Sequence, residues 1–62
     1  MKVYALRLTN YDLDVNFGIY LRREKAEEEF TKLVTKKSNH KSKWWAERYP
    51  QNLRIEEVEI IE

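Results

Sequence analysis

Few side chains in this 62-residue chain are equipped for covalent or metal chemistry. It has no cysteine and one histidine, His40, set among Asn39, Lys41, Ser42 and Lys43 with no second imidazole at HxH or HxxxH spacing. A metal site needs several converging donors and a catalytic base needs a partner within reach, so His40 reads as a surface residue, and neither a metal nor a cofactor is expected. Glu27, Glu28 and Glu29 are consecutive, which on a helix spreads them over about 200° of the circumference. They read as a solvated face rather than a paired acid and base. Catalysis further requires convergent polar groups in a pocket, and so small a domain has little interior in which to build one. The expectation is a non-enzymatic protein.

Recognition chemistry is better represented. Lys41, Lys43, Trp44, Trp45, Arg48 and Tyr49 lie together in one short segment. Trp, Tyr and Arg concentrate at the energetic centres of interfaces, and adjacent tryptophans in a turn or short helix point in different directions, so both do not easily enter a small core. One reading makes them a satellite cluster over a sheet edge or helix end. The preferred reading is a partner-contacting patch with Lys41 and Lys43 at its rim. The alternative is nucleic-acid binding, since cations interleaved with aromatic rings combine phosphate neutralisation with stacking platforms. Against it stand the net charge of only +1, the acidic run Glu56, Glu57 and Glu59, and the lack of an RNP-like or glycine-rich loop signature.

The charge is unevenly spread. Lys32, Lys36, Lys37, Lys41, Lys43 and Arg48 face a single carboxylate, Glu47, and the segments on either side are net acidic. Such a block attracts an acidic partner. Hydrophobic residues make up 42% and aromatic residues 13%, with one glycine and one proline, which describes a chain with a real core rather than a disordered one. The length allows one domain, spanning residues 1–62. Arg7 interrupts the first apolar stretch too early for a secretory signal, and the longest uncharged run, residues 15–21, is far shorter than a membrane span. A cytoplasmic protein is expected.

The elements that must position the patch follow from periodicity. Residues 2–9 and 15–22 read as strands, the second with alternating Val15, Phe17, Ile19 and Leu21. Asn10-Tyr11-Asp12-Leu13-Asp14 supplies the turn of an antiparallel hairpin. Over residues 24–37 the period changes: Ala26, Phe30, Leu33 and Val34 share one helical face, with acids early and lysines late as the helix dipole favours. Ser38-Asn39 supplies the stop, and Ser42 is placed to cap a short helix over residues 43–48. Residues 53–61 read as a strand in which Leu53 and Ile55 are out of phase with Val58 and Ile60, so a bulge near Glu56-Glu57 is expected.

The order predicts an α+β fold: a ββαβ domain with a three-stranded antiparallel sheet in the order 2-1-3 and one helix on one face. The expected core is Val3 or Leu6, Phe17, Ile19, Leu21, Ala26, Phe30, Leu33, Val34, Val58 and Ile60. A single helix covers one face only. Tyr4, Leu6, Leu8 and Tyr20 would then be left on the other, and a homodimer through those residues is expected. Folding of the Trp44-Trp45 segment over them is the competing possibility.

The run Gly18-Ile19-Tyr20-Leu21 into Arg23-Glu24-Lys25-Ala26-Glu27-Glu28, with the terminal Ile55-Glu56-Glu57-Val58-Glu59-Ile60, resembles small ββαβ proteins of bacteria, their phages and plasmids. The resemblance spans most of the chain and implies the same fold. It also suggests a role common among such proteins, inhibition of a host protein, including defence proteins, by direct binding.

Overall fold

In the computed structural model, which describes residues 1–61, the order is β1 (Lys2–Thr9), β2 (Asp14–Tyr20), α1 (Arg23–Val34), α2 (Lys43–Arg48), a 3₁₀ turn (Pro50–Asn52) and β3 (Leu53–Glu59). The three strands form one antiparallel sheet in the order β2-β1-β3, as the sequence predicts, and α1 packs on it. The short α2 joins α1 in covering the sheet. Trp45 and Ala46 belong to the same apolar cluster as Leu6, Leu8 and Leu53.

A bulge decides which residues are inside, and it lies in β2 rather than at Glu56-Glu57. Leu6 pairs with Gly18 and Arg7 with Asn16, so Phe17 has no opposite number. Asn16 Oδ1 accepts the Gly18 N–H at 3.1 Å and bridges the extra residue. In β3, by contrast, the pairing with β1 runs unbroken from Lys2–Glu59 to Leu8–Leu53. Because side chains alternate across a sheet, this register puts Tyr4, Leu6, Leu8, Val15, Tyr20, Leu53 and Ile55 on the helix-covered face and Val3, Ala5, Ile19 and Val58 on the other. The extra residue also turns Phe17 into the core, with Leu6, Leu8, Leu33, Ala46 and Leu53.

The expected core is corrected accordingly. Phe17, Ala26 and Leu33 are buried and Phe30 packs against the cluster, but Ile19, Leu21, Val34, Val58 and Ile60 are exposed. The expected dimer residues move the opposite way: Leu6 and Leu8 are fully buried beneath the helices, and Tyr4 and Tyr20 are half-buried on the same face. Tyr20 can lie flat there because Gly18, two residues before it, has no side chain; a Cβ at Gly18 would stand 2.9 Å from the Tyr20 hydroxyl.

α1 ends earlier than its periodicity suggests. Lys36 takes a left-handed conformation with φ 62°, Lys37 N–H donates to the Lys32 carbonyl at 2.8 Å, and Lys36 N–H donates to that of Leu33 at 3.3 Å. This is a Schellman termination with a lysine where glycine is usual. The β1–β2 loop closes through paired bonds between Asn10 and Leu13, and Asn10 Oδ1 also accepts the Tyr11 N–H at 2.8 Å. No described helix is long and apolar enough to cross a membrane.

Candidate functional site

α2 is too short to be stable alone, so its position comes from its neighbours. Ser42 occupies the N-cap, but its side chain makes no capping bond; its backbone N–H donates instead to His40 Nδ1 at 3.0 Å. His40 in turn donates its N–H to Ser38 Oγ at 3.1 Å, and Ser38 donates to Glu29 Oε1 of α1 at 2.9 Å. The imidazole also packs on Phe17, with ring centroids 5.0 Å apart. His40 is thus a structural pin between α1, the bulge in β2 and α2, and Ser38, which is buried, is its anchor. On the inner side Ala46 has no exposed surface, so α2 sits tight on the core.

This arrangement separates the two tryptophans. Trp45 packs on the core cluster together with Tyr49, their rings nearly parallel at 16° and 6.3 Å. Trp44 is 54% exposed and meets Trp45 edge-on at 4.6 Å. The Arg48 guanidinium lies 5.4 Å from the Trp44 ring centre and 5.7 Å from that of Tyr49, and its Nε donates to the Tyr49 hydroxyl at 3.3 Å. Two rings rooted in the core therefore hold a third ring and a cation outward. Lys41 and Lys43 are exposed beside them. All six residues of the sequence-derived patch fall in one structural unit, with Trp45 and Tyr49 as support and Trp44 and Arg48 as the presented surface.

The electrostatics single out the same region. Among the described residues, none of Lys36, Lys37, Lys41, Lys43 and Arg48 has a carboxylate within 4.0 Å. The acidic side chains of β3 are neutralised locally: Glu56 meets Arg7 and Arg54 at 3.1 and 2.8 Å, and Glu57 meets Lys2 at 3.8 Å. Arg7 is held protonated above its ordinary range, first by its hydrogen bonds to Asp14 and then by the charges of Asp14 and Glu56. Free positive charge is therefore concentrated at the end of α1, the connecting loop and α2.

Sequence reasoning did not find the wall opposite α2. Leu8 pairs with Leu53, which directly follows the 3₁₀ turn after α2, so the β1–β2 loop comes back alongside the aromatic residues. Asn10, Tyr11, Asp12, Leu13, Trp45 and Tyr49 line a cleft of about 390 Å³. Tyr11 is fully exposed at its edge. Only the third strand's pairing could have signalled this juxtaposition, and pairing is a long-range property. Among the described residues no group of three or more His, Cys, Asp or Glu side chains converges on a point, and every buried side-chain polar atom has a partner.

Comparison with known protein families, characterised proteins and solved structures finds no match to this chain.

Proposed function

We propose that the chain is a small non-enzymatic protein-binding module that uses the Trp44-Arg48 surface, with Lys41 and Lys43 at the rim and the cleft beside Tyr11 as an adjoining socket. The observation that carries this reading is the preorganised Trp44: a large ring left 54% exposed yet fixed by Trp45 on one side and Arg48 on the other. A ring already held in place loses little side-chain freedom on binding, which is what makes Trp an effective anchor. The unpaired lysines around it favour a partner surface that is acidic with an apolar centre, and they speed encounter more than they add affinity. As in the small phage and plasmid proteins the chain resembles, the partner is a host protein and the consequence of binding is its inhibition.

The test is affinity capture from bacterial extract with the wild-type chain and the folded Trp44→Ala variant as parallel baits. A protein recovered in stoichiometric amount by the wild type and lost with Trp44→Ala supports the module. Recovery of DNA or RNA without such a protein, with affinity falling steeply as salt rises, would move the assignment to nucleic-acid binding.

A further inference from the structure

His40 is the only histidine of the chain, and it holds the entry to α2 with both its backbone and its ring. Its carbonyl accepts the Lys43 N–H at 3.1 Å and its ring Nδ1 accepts the Ser42 N–H at 3.0 Å, so residues 40–43 form a turn closed twice just before the helix. Lys43 and Trp44 are the first two residues of α2. The Ser42 side chain makes no capping bond, which leaves the imidazole as the side chain that holds Ser42 in place.

An imidazole nitrogen accepts a hydrogen bond only while it carries no proton. With Nδ1 accepting, the neutral ring holds its one proton on Nε2. A further proton therefore enters at Nδ1, the atom that holds Ser42. The imidazolium has two N–H donors and no acceptor, so the Ser42 N–H would face another donor at 3.0 Å. We propose that residues 38–44 form an acid-sensitive latch: a proton taken up at His40 Nδ1 frees Ser42, and the first turn of α2, with Trp44, loosens while the sheet stays folded.

The groups packed around the ring determine how the proton is accommodated. On α1, Glu29 reaches this segment through Ser38, whose hydroxyl donates to Glu29 Oε1 at 2.9 Å and accepts the His40 N–H at 3.1 Å. Tyr20 of β2, neutral below about pH 10, stands near Glu29. The part of β2 in contact with the imidazole is the Phe17 ring, at 5.0 Å and tilted by 59°, and its chain neighbours Asn16 and Gly18 carry no charge. Lys41 and Lys43 flank the turn, the first turn of α2 contains no acid, and Glu47 comes one turn later. Glu29 and the Phe17 ring favour a cation, and the two lysines oppose one.

Both favourable contacts survive if the ring turns over. A half-turn about the Cβ–Cγ bond takes Nδ1 away from Ser42 and keeps the ring plane on Phe17. Only the bond to Ser42 is lost, so acid selects the turned ring over the latched one. The tie from the His40 backbone through Ser38 to Glu29 is independent of the ring's charge and confines the opening to the residues after it. Ala46 and Trp45 keep the rest of α2 on the core. What is released is the fixed setting of Trp44. A weakening of partner binding in acid rests on the function proposed above; the latch itself does not.

The experiment follows the whole chain by NMR from about pH 8 to about pH 5, across the ordinary imidazole range near 6.5. At the alkaline end the ring nitrogen shifts should show the proton on Nε2 and none on Nδ1. As the ring protonates, the protection factor of the Ser42 amide, corrected for the intrinsic exchange rate at each pH, should fall about fivefold or more, as expected for the loss of one hydrogen bond. The heteronuclear NOE of the Trp44 indole N–H should drop in parallel, and the amides of β1 should keep their protection. In His40→Asn the side-chain oxygen can accept from the N–H two residues on and does not titrate, so both readings should stay constant. A neutral ring with its proton on Nδ1 overturns the proposal. So does Ser42 protection that stays constant through the ring titration, a loss shared by β1, or an equal loss in His40→Asn. If His40→Asn does not fold, the wild-type ring titration still decides between these outcomes. None of the readouts uses a partner, so failure of the latch and failure of the binding role are told apart.

Discussion

The guanidinium carbon of Arg48 lies 5.4 Å from the centre of the Trp44 ring, which faces solvent over more than half its area. An exposed cation–π contact of this kind contributes about 0.5–1 kcal/mol, too little to hold a fold together but enough to fix a side chain. Trp44→Ala is therefore expected to lower stability by about 1 kcal/mol, counting its edge contact with Trp45. Trp45→Ala, which empties a site in the core cluster, should cost about 3 kcal/mol. Urea unfolding of the two variants side by side measures the gap. Equal losses would mean that Trp44 is an ordinary structural residue, and the binding surface would have to be sought elsewhere.

Lys36 offers a second check, on a position where local strain and sequence disagree. Its φ of 62° lies in the left-handed region that a side chain disfavours, yet the two Schellman bonds at the end of α1 require that conformation. Lys36→Gly should stabilise the domain by about 0.5–1 kcal/mol, raising the melting temperature by several degrees. A lower melting temperature would show that the lysine side chain makes a compensating interaction.

These two positions also illustrate what could be read from the sequence. Element order, sheet order and the composition of the patch were legible because they rest on local period and on short-range chemistry: the 3.6-residue recurrence of Ala26, Phe30 and Leu33, and the crowding of Trp44, Trp45, Arg48 and Tyr49. The two sides of the sheet were not. The regular alternation of the second strand placed Phe17, Ile19 and Leu21 inside, and the phase change between Ile55 and Val58 suggested a bulge in β3. The bulge sits at Phe17 instead, where Asn16 caps the Gly18 N–H, and that displacement of one residue exchanged the covered and open faces. A single sequence does not distinguish the two placements, because either one gives each strand an acceptable apolar side. The end of α1 was hidden for a similar reason, since no glycine marks its left-handed residue.

Tyr20 gives the domain a dependence on alkaline pH. Burial against the helix-covered face raises its pKa above the ordinary 10.0, and the charge of Glu29 on α1 adds to the effect. The folded state thus favours the neutral phenol more than the unfolded chain does. That contribution is complete below about pH 10 and disappears as pH rises through the native pKa, because the unfolded chain releases the proton first. The stability of the wild type relative to Tyr20→Phe should be constant between about pH 7 and 9 and should fall at higher pH. Parallel curves over the whole range, from chemical denaturation at each pH, would refute the assignment to Tyr20.

The last expectation links the buried polar network to the proposed binding surface. Ser38 Oγ donates to Glu29 at 2.9 Å and accepts the His40 N–H at 3.1 Å, while His40 Nδ1 accepts the Ser42 N–H at 3.0 Å, so the direction of α2 depends on a chain of bonds that starts on α1. Ser38→Ala removes the middle of that chain and leaves the His40 N–H without its partner, a loss of about 1–3 kcal/mol. Because the strands hold each other through β1, the damage should be local: in hydrogen exchange the amides of His40 and Ser42 lose protection while those of β1 retain it. Partner binding should weaken as well, although Trp44 and Arg48 are untouched, because the ring and the cation are no longer held at a fixed angle to the core. Glu29→Gln keeps an acceptor oxygen for Ser38 and should behave nearly as wild type. If Ser38→Ala loosens the loop and leaves partner binding unchanged, Trp44 binds without help from its scaffold, and preorganisation is not the source of its affinity.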